Sequence, residues 1–90
     1  MSKAVVDPAE LRRFAGELKR FTEGLRQQMA ALSSRVSTLG QTWRDQEQVK
    51  FTEQFEQTMR VLARFTDAAG EHIPVLIKKA EKIEEYLNQR

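Results

Sequence analysis

The sequence predicts an all-α protein: an antiparallel two-helix hairpin that dimerises into a four-helix bundle. Three observations predict it. Leucines recur every seven residues through the first half, at Leu11, Leu18, Leu25, Leu32 and Leu39, the repeat of a helix packed along one seam. At the midpoint, Leu39-Gly40-Gln41-Thr42-Trp43-Arg44-Asp45 carries a helix stop followed at once by a helix start. The apolar stripes on either side of it are also wider than one partner helix can cover.

The first helix is expected over about residues 8–39. Asp7-Pro8-Ala9-Glu10 supplies an N-cap carboxylate, a proline at the first helical position and an acid in the first turn. Residues 1–6 before it read as frayed. Phe14 and Phe21 accompany the leucine ladder at one offset; Met29, Val36 and Trp43 accompany it at the other. That change of companion is the slow drift of a 3.6-residue helix carrying a seven-residue repeat. Gly16 and Gly24 mark either a close approach of another backbone or an indifferent surface.

Gly40, just past the ladder, reads as the helix C-terminus. The turn is placed at 40–42. Thr42, with Asp45 three positions on, approximates a capping box and starts a second helix over about 43–88. Its seam is read as Phe51, Phe55, Met59, Leu62, Phe65, Ala69, Ile73, Leu76, Ala80, Ile83 and Leu87, in alternating steps of three and four. Pro74 deprives Gly70 of a backbone donor, which predicts a kink near 70–74, with a full break as the alternative.

The whole chain, residues 1–90, reads as one small domain. A first helix of about 32 residues spans roughly 48 Å. Folded back along it, the second helix is matched to about residue 77, and residues 78–90 overhang. Chains this small rarely supply more than about 3–5 kcal/mol on their own. Phe14, Phe21, Phe55 and Phe65 ask for a further partner, either a second copy or a similar hairpin chain.

Composition excludes several functions. There are 0 Cys, so no disulfide or thiolate metal site can form. Residues 1–44 hold eight Lys/Arg against four Asp/Glu (+4), and residues 45–90 hold seven against nine (−2), so the two helices attract modestly. No run of five like charges occurs, and Val-Val-Asp-Pro-Ala-Glu stands where a DNA-binding zipper needs a basic segment. Nucleic acid is therefore not an expected partner, nor is stable membrane insertion, since no apolar run is long enough to span. The N-terminal stretch has no core of signal-peptide length, so any export is expected to proceed without a cleavable signal.

Catalysis is not signalled, and no cofactor is expected. His72 is the sole histidine and reads as solvated or kink-associated rather than as a ligand. Glu53 with Glu56, and Glu81 with Glu84 and Glu85, read as solvated helix faces rather than acid pairs. Ser33, Ser34 and Ser37 have no base in reach. The arginines of the first helix, among them Arg12, Arg20, Arg26 and Arg35, read as solubilising.

Around Trp43 the sequence resembles the WxG-motif, early-secreted-antigen-like family of small helical hairpins exported by type VII secretion systems. The resemblance rests on the length, the Asp7-Pro8 start, the ladder ending at Leu39-Gly40, the central Trp43 and an aromatic eight positions later, Phe51. Trp43-Arg44-Asp45 stands where the family has Trp-x-Gly. The resemblance implies a non-enzymatic secreted protein working as a dimer. It also implies a turn motif of Leu39, Gly40, Trp43, Asp45 and Phe51 that is read, with a partner's tail, by a secretion ATPase. The family's tail signal, a Tyr followed four residues later by an acid, is matched only by Tyr86 with Arg90 at that spacing, within a tail that includes Ile83 and Leu87. Bottom-up, Trp43 can equally be a ring that caps the end of the bundle. The alternative to an exported protein is a cytoplasmic coiled-coil adaptor or structural module.

Overall fold

The computed structural model describes residues 6–89. Expectations for the first five residues and for Arg90 lie outside the described residues. Two helices make up the fold: α1 (Pro8–Leu39, 32 residues) and α2 (Gln46–Asn88, 43 residues). They lie side by side as a rod of 69 × 21 × 16 Å. Its radius of gyration is 20.3 Å, against roughly 12 Å for a compact domain of this length.

Asp7 caps α1. Its carboxylate accepts from the Ala9 N–H at 2.9 Å, and Pro8 occupies the position where no backbone donor is needed. At the other end the Gly40 N–H donates to the Val36 carbonyl at 3.1 Å. Gly40 has φ −66°, a conformation open to any residue, so glycine is not there for backbone freedom. A Cβ would stand 3.3 Å from Gln48 Nε2 and 3.4 Å from the Ser37 carbonyl oxygen, a tight fit that a small shift of the Gln48 side chain would relieve.

The turn is longer than the spacing implied, and α2 starts at Gln46 rather than near Trp43. Asp45, not Thr42, is the N-cap: its carboxylate accepts from the Gln48 N–H at 3.0 Å. The Thr42 hydroxyl instead leans back towards the Leu39 carbonyl, at 3.5 Å, and the Trp43 N–H donates to the same oxygen at 2.9 Å. The elbow thus continues the stitching of α1 through Trp43 before the chain reverses. Further along, α2 runs unbroken through Gly70 and Pro74, which excludes the full break. Neither Gly24 nor Gly70 has a neighbouring atom within 4 Å of a built Cβ, so neither marks a close approach.

The hairpin core is built from small residues. Ala15 and Thr22 of α1 and Thr66, Ala69 and Ala80 of α2 are buried. Half-buried Leu11, Leu18, Leu25, Met29 and Val36 complete the α1 seam. On α2, half-buried Phe55, Met59, Leu62, Ile73, Leu76 and Ile83 flank the small residues in steps of three and four. The two threonines are satisfied locally: Thr22 donates to the Lys19 carbonyl at 3.0 Å and Thr66 to the Ala63 carbonyl at 2.9 Å. Small side chains at these levels let the helices approach closely, and large ones are pushed to the flanks.

Two expectations are corrected here. Phe65 is not in the hairpin seam; its neighbour Thr66 is, and Phe65 is 48 % exposed. Phe14 and Phe21 (53 and 56 %) are exposed beside the seam, in line with rings that one partner helix does not cover, and Leu32 (46 %), Leu39 and Phe51 are exposed as well. Nor does the chain overhang from residue 78: Ala80 is fully buried and Glu84 pairs with Arg12. The turn uses three more residues than expected, and Arg12 and Glu84 each lean back towards their own helix N-terminus, which closes the remaining gap.

The pairs that cross between helices follow the charge asymmetry. Arg12 Nε and Nη2 grip both oxygens of Glu84 at 2.9 and 2.8 Å, and Arg26 reaches Asp67 at 3.2 Å. The Arg12 hydrogen bonds, opposed by desolvation and aided by its charge, hold the Glu84 carboxyl below its ordinary range. Since folded Glu84 binds its proton more weakly than the unfolded group, the pair stabilises the fold above the usual glutamate range. That contribution is lost as pH falls through the lowered folded value.

Two predictions follow from these caps and pairs. Asp45→Ala should cost about 1 kcal/mol in denaturant unfolding, whereas Asp45→Gly should cost only a few tenths. The melting temperature of Glu84→Gln should lie below that of the parent at neutral pH, and the two should converge as the acid range is entered.

Candidate functional site

Three surfaces stand out on this rod: the elbow, a flank at mid-length and the tail. At the elbow, Trp43 is held half-buried by the stitched turn below it. Its ring lies 5.7 Å from Phe51 at 37°, and Phe51 stacks on Phe55 at 5.9 Å and 26°. The eight-residue interval from Trp43 to Phe51 and the four-residue step to Phe55 therefore form one continuous aromatic row. Phe51 remains 40 % exposed, so the row is partly an open surface.

Arg44 is exposed, and its Nε donates to the Gln41 carbonyl at 3.1 Å. Asp45 explains the missing glycine. Its backbone (φ −89°, ψ −176°) is extended and requires no glycine, and the site asks only for an N-cap, which Asp fills at least as well as Gly.

Two grooves flank the elbow. One, of about 490 Å³, runs along Leu32, Val36, Leu39 and Phe51 with Arg35 at its edge. The other, of about 460 Å³, is more polar and is lined by Ser33, Ser37, Gln48, Thr52, Phe55 and Met59. There Gln48 Nε2 donates to the Thr52 hydroxyl at 3.0 Å, beneath Gly40. Sequence reasoning missed Gln48 and Thr52, because polar residues at seam spacing read as surface.

At mid-length the rings of Phe21 and Phe65 meet edge to face, 6.2 Å apart and at 87°. Beside them lies an apolar groove of about 450 Å³ between Phe14, Leu18, Phe65, Ala68, Ala69, His72 and Leu76. His72 thus belongs to this face. Val61, Phe65, Ala68, His72 and Val75 repeat in steps of four and three, one residue out of phase with the hairpin seam, and that second repeat could have revealed it. On the tail, Ile83 is half-buried against α1, whereas Tyr86 and Leu87 are 71 and 48 % exposed.

Among the described residues no three His, Asp or Glu side chains gather as metal ligands, and no helix is long and apolar enough to cross a membrane. What the surfaces can do is pack. Twelve large apolar side chains among the described residues are 40–71 % exposed. Each half-covered Phe leaves on the order of 1 kcal/mol of burial unrealised, so together they rival the roughly 3–5 kcal/mol of a small core.

The rod is a shape seen before. It superposes on crystal structures of the secreted protein EsxB from Bacillus anthracis str. Sterne. A selenomethionine form gives a TM-score of 0.80 at 23 % identity, covering 96 % of this chain and 98 % of that one. A glycine-to-alanine variant gives 0.79 at 24 %, covering 93 and 97 %. A glutamate-to-glutamine variant gives 0.78 at 26 %, covering 91 and 88 %. No curated protein matches the chain. A family model described as "Proteins of 100 residues with WXG" matches residues 4–86. With its hairpin, its elbow tryptophan and this match over nearly its whole length, the chain belongs to the WXG100 family.

Proposed function

We propose that this protein is a non-enzymatic substrate or escort of a type VII secretion system, working as a dimer of hairpins in a four-helix bundle and leaving the cell without a cleavable signal. Membership of the WXG100 family and the likeness to a protein described as secreted support the secretion role. One observation carries the dimer: the apolar face around Phe14, Phe21 and Phe65 is too large to leave in water. Affinity would come from covering that face, and specificity from the charges along its rim.

The elbow supports a recognition role in the same reading. Trp43, Phe51 and Phe55 form an aromatic row that the hairpin leaves partly open, with Leu39 and Gly40 setting its level. A secretion ATPase would read this row together with the tail of the partner hairpin, Tyr86 and Leu87 included. Tyr86 has Arg90 rather than an acid at the signal spacing, which favours an escort that travels with a signal-bearing sibling. The same departure is what favours the competing reading, a cytoplasmic adaptor.

A tagged copy expressed in a bacterium with an intact type VII system should accumulate in the culture filtrate, and a strain lacking the secretion ATPase should retain it. Equal retention in both strains, even with a co-expressed hairpin sibling, would leave the adaptor reading standing. Trp43→Phe keeps an aromatic ring on the stack, so its melting temperature should stay within a few degrees of the parent while export falls several-fold. Unchanged export would reduce Trp43 to a bundle cap.

A further inference from the structure

We infer that Arg12 of α1, through Glu84, keeps the exposed end of α2 helical, so that one clasp sets the order of the tail that carries Tyr86 and Leu87. The clasp acts within the single chain and holds whether or not that chain is exported.

Burial stops before the helix does. Ala80 is the last buried side chain of α2, Ile83 and Glu84 are half-buried, and every residue from Glu85 to Gln89 is exposed. The charges at this end also work against the helix. Glu81, Glu84 and Glu85 stand among its last eight residues with Lys82 as the one base, and the last turn holds an acid but no base, where the macrodipole favours cations. The cap is slight, a single Gln89 N–H donating to the Tyr86 carbonyl at 3.3 Å. A helix end of this kind frays unless something outside it holds it.

Arg12 is that outside hold. Its Nε and Nη2 donate to the two Glu84 carboxylate oxygens at 2.9 and 2.8 Å, a fork that fixes position as well as charge. Among the described residues no other ion pair reaches Glu81, Glu84 or Glu85. Both side chains are part-exposed, at 43 and 38 %, so the clasp is modest in strength and local in reach. Its place makes a modest contribution count: it lies one turn past the last buried residue and two residues before Tyr86. With the clasp closed, Tyr86 and Leu87 project from a helix in fixed register with the start of α1. With it open, they belong to a fraying segment. Arg12 is thus a positioning residue for the tail.

Residue-resolved amide hydrogen exchange of the purified chain, at fixed pH and concentration, tests this with Arg12→Gln, Glu84→Gln and the double variant. The amides of residues 85–88 report the tail, and those of residues 62–76 report the middle of α2. Arg12→Gln leaves α2 itself unaltered. In that variant the tail amides should exchange about two- to fivefold faster, the range of a part-exposed ion pair, while the mid-helix amides keep their rates. Glu84→Gln should also speed the tail, and adding Arg12→Gln to it should have no further effect. Unchanged tail exchange in Arg12→Gln would overturn the clasp. So would slower tail exchange in Glu84→Gln, the result expected if the helix dipole alone governed this end. An equal acceleration along the whole of both helices would overturn it too, since the pair would then serve the fold at large and not the tail.

Discussion

The fold depends on how closely α1 and α2 can approach. Their buried contacts are made by Ala15, Thr22, Thr66, Ala69 and Ala80, and no large side chain is buried among the described residues. A seam of this kind brings two backbones together but removes little apolar surface from water. The chain's exposed surface of 7225 Å² compares with roughly 5400 Å² for a compact protein of its mass. The large residues that would ordinarily make a core, Phe14, Phe21 and Phe65 above all, have been displaced to one flank. A thin inner seam and a thick outer face are one fact seen from two sides.

That arrangement links local chemistry to function. Caps at Asp7 and Asp45 set where the helices start, and the stitched elbow sets the level at which Trp43 meets Phe51. Cross-helix pairs from basic α1 to acidic α2 hold alignment at the open end and the middle, although exposed pairs contribute little energy each. With the helices aligned at both places, the aromatic row and the mid-length groove are presented along one rod. Such a molecule is suited to being packed against and recognised.

Much of this was legible in the sequence, and the failures are instructive. The start and stop of α1 could be read because Asp7-Pro8 and Gly40 act through their own backbone geometry and need no tertiary context. The start of α2 was misplaced because Thr42 and Asp45 are both good N-cap residues. The contest was decided by the Leu39 carbonyl, which holds the Thr42 and Trp43 backbone and leaves Asp45 to begin the new helix. The α2 seam was read one residue out at Phe65 because hydrophobicity favours Phe over Thr. Burying Thr66 costs little once its hydroxyl is bonded to the Ala63 carbonyl within its own helix, a satisfaction that no pattern of apolar residues displays. His72 reads as solvated or kink-associated, and it is indeed exposed; that it also borders the mid-length groove required the structure. The aromatic interval from Trp43 to Phe51 was visible, but that Phe55 extends it into a row required the structure.

The central claim is that this hairpin is half of a folded unit. The most direct measurement is the melting temperature of the purified chain, followed by circular dichroism over a hundredfold range of concentration. If folding and pairing are coupled, the melting temperature rises steadily with concentration, and the folded species has about twice the 10.4 kDa mass of the chain. A helical chain of 10.4 kDa with a sharp, concentration-independent melt would contradict the account.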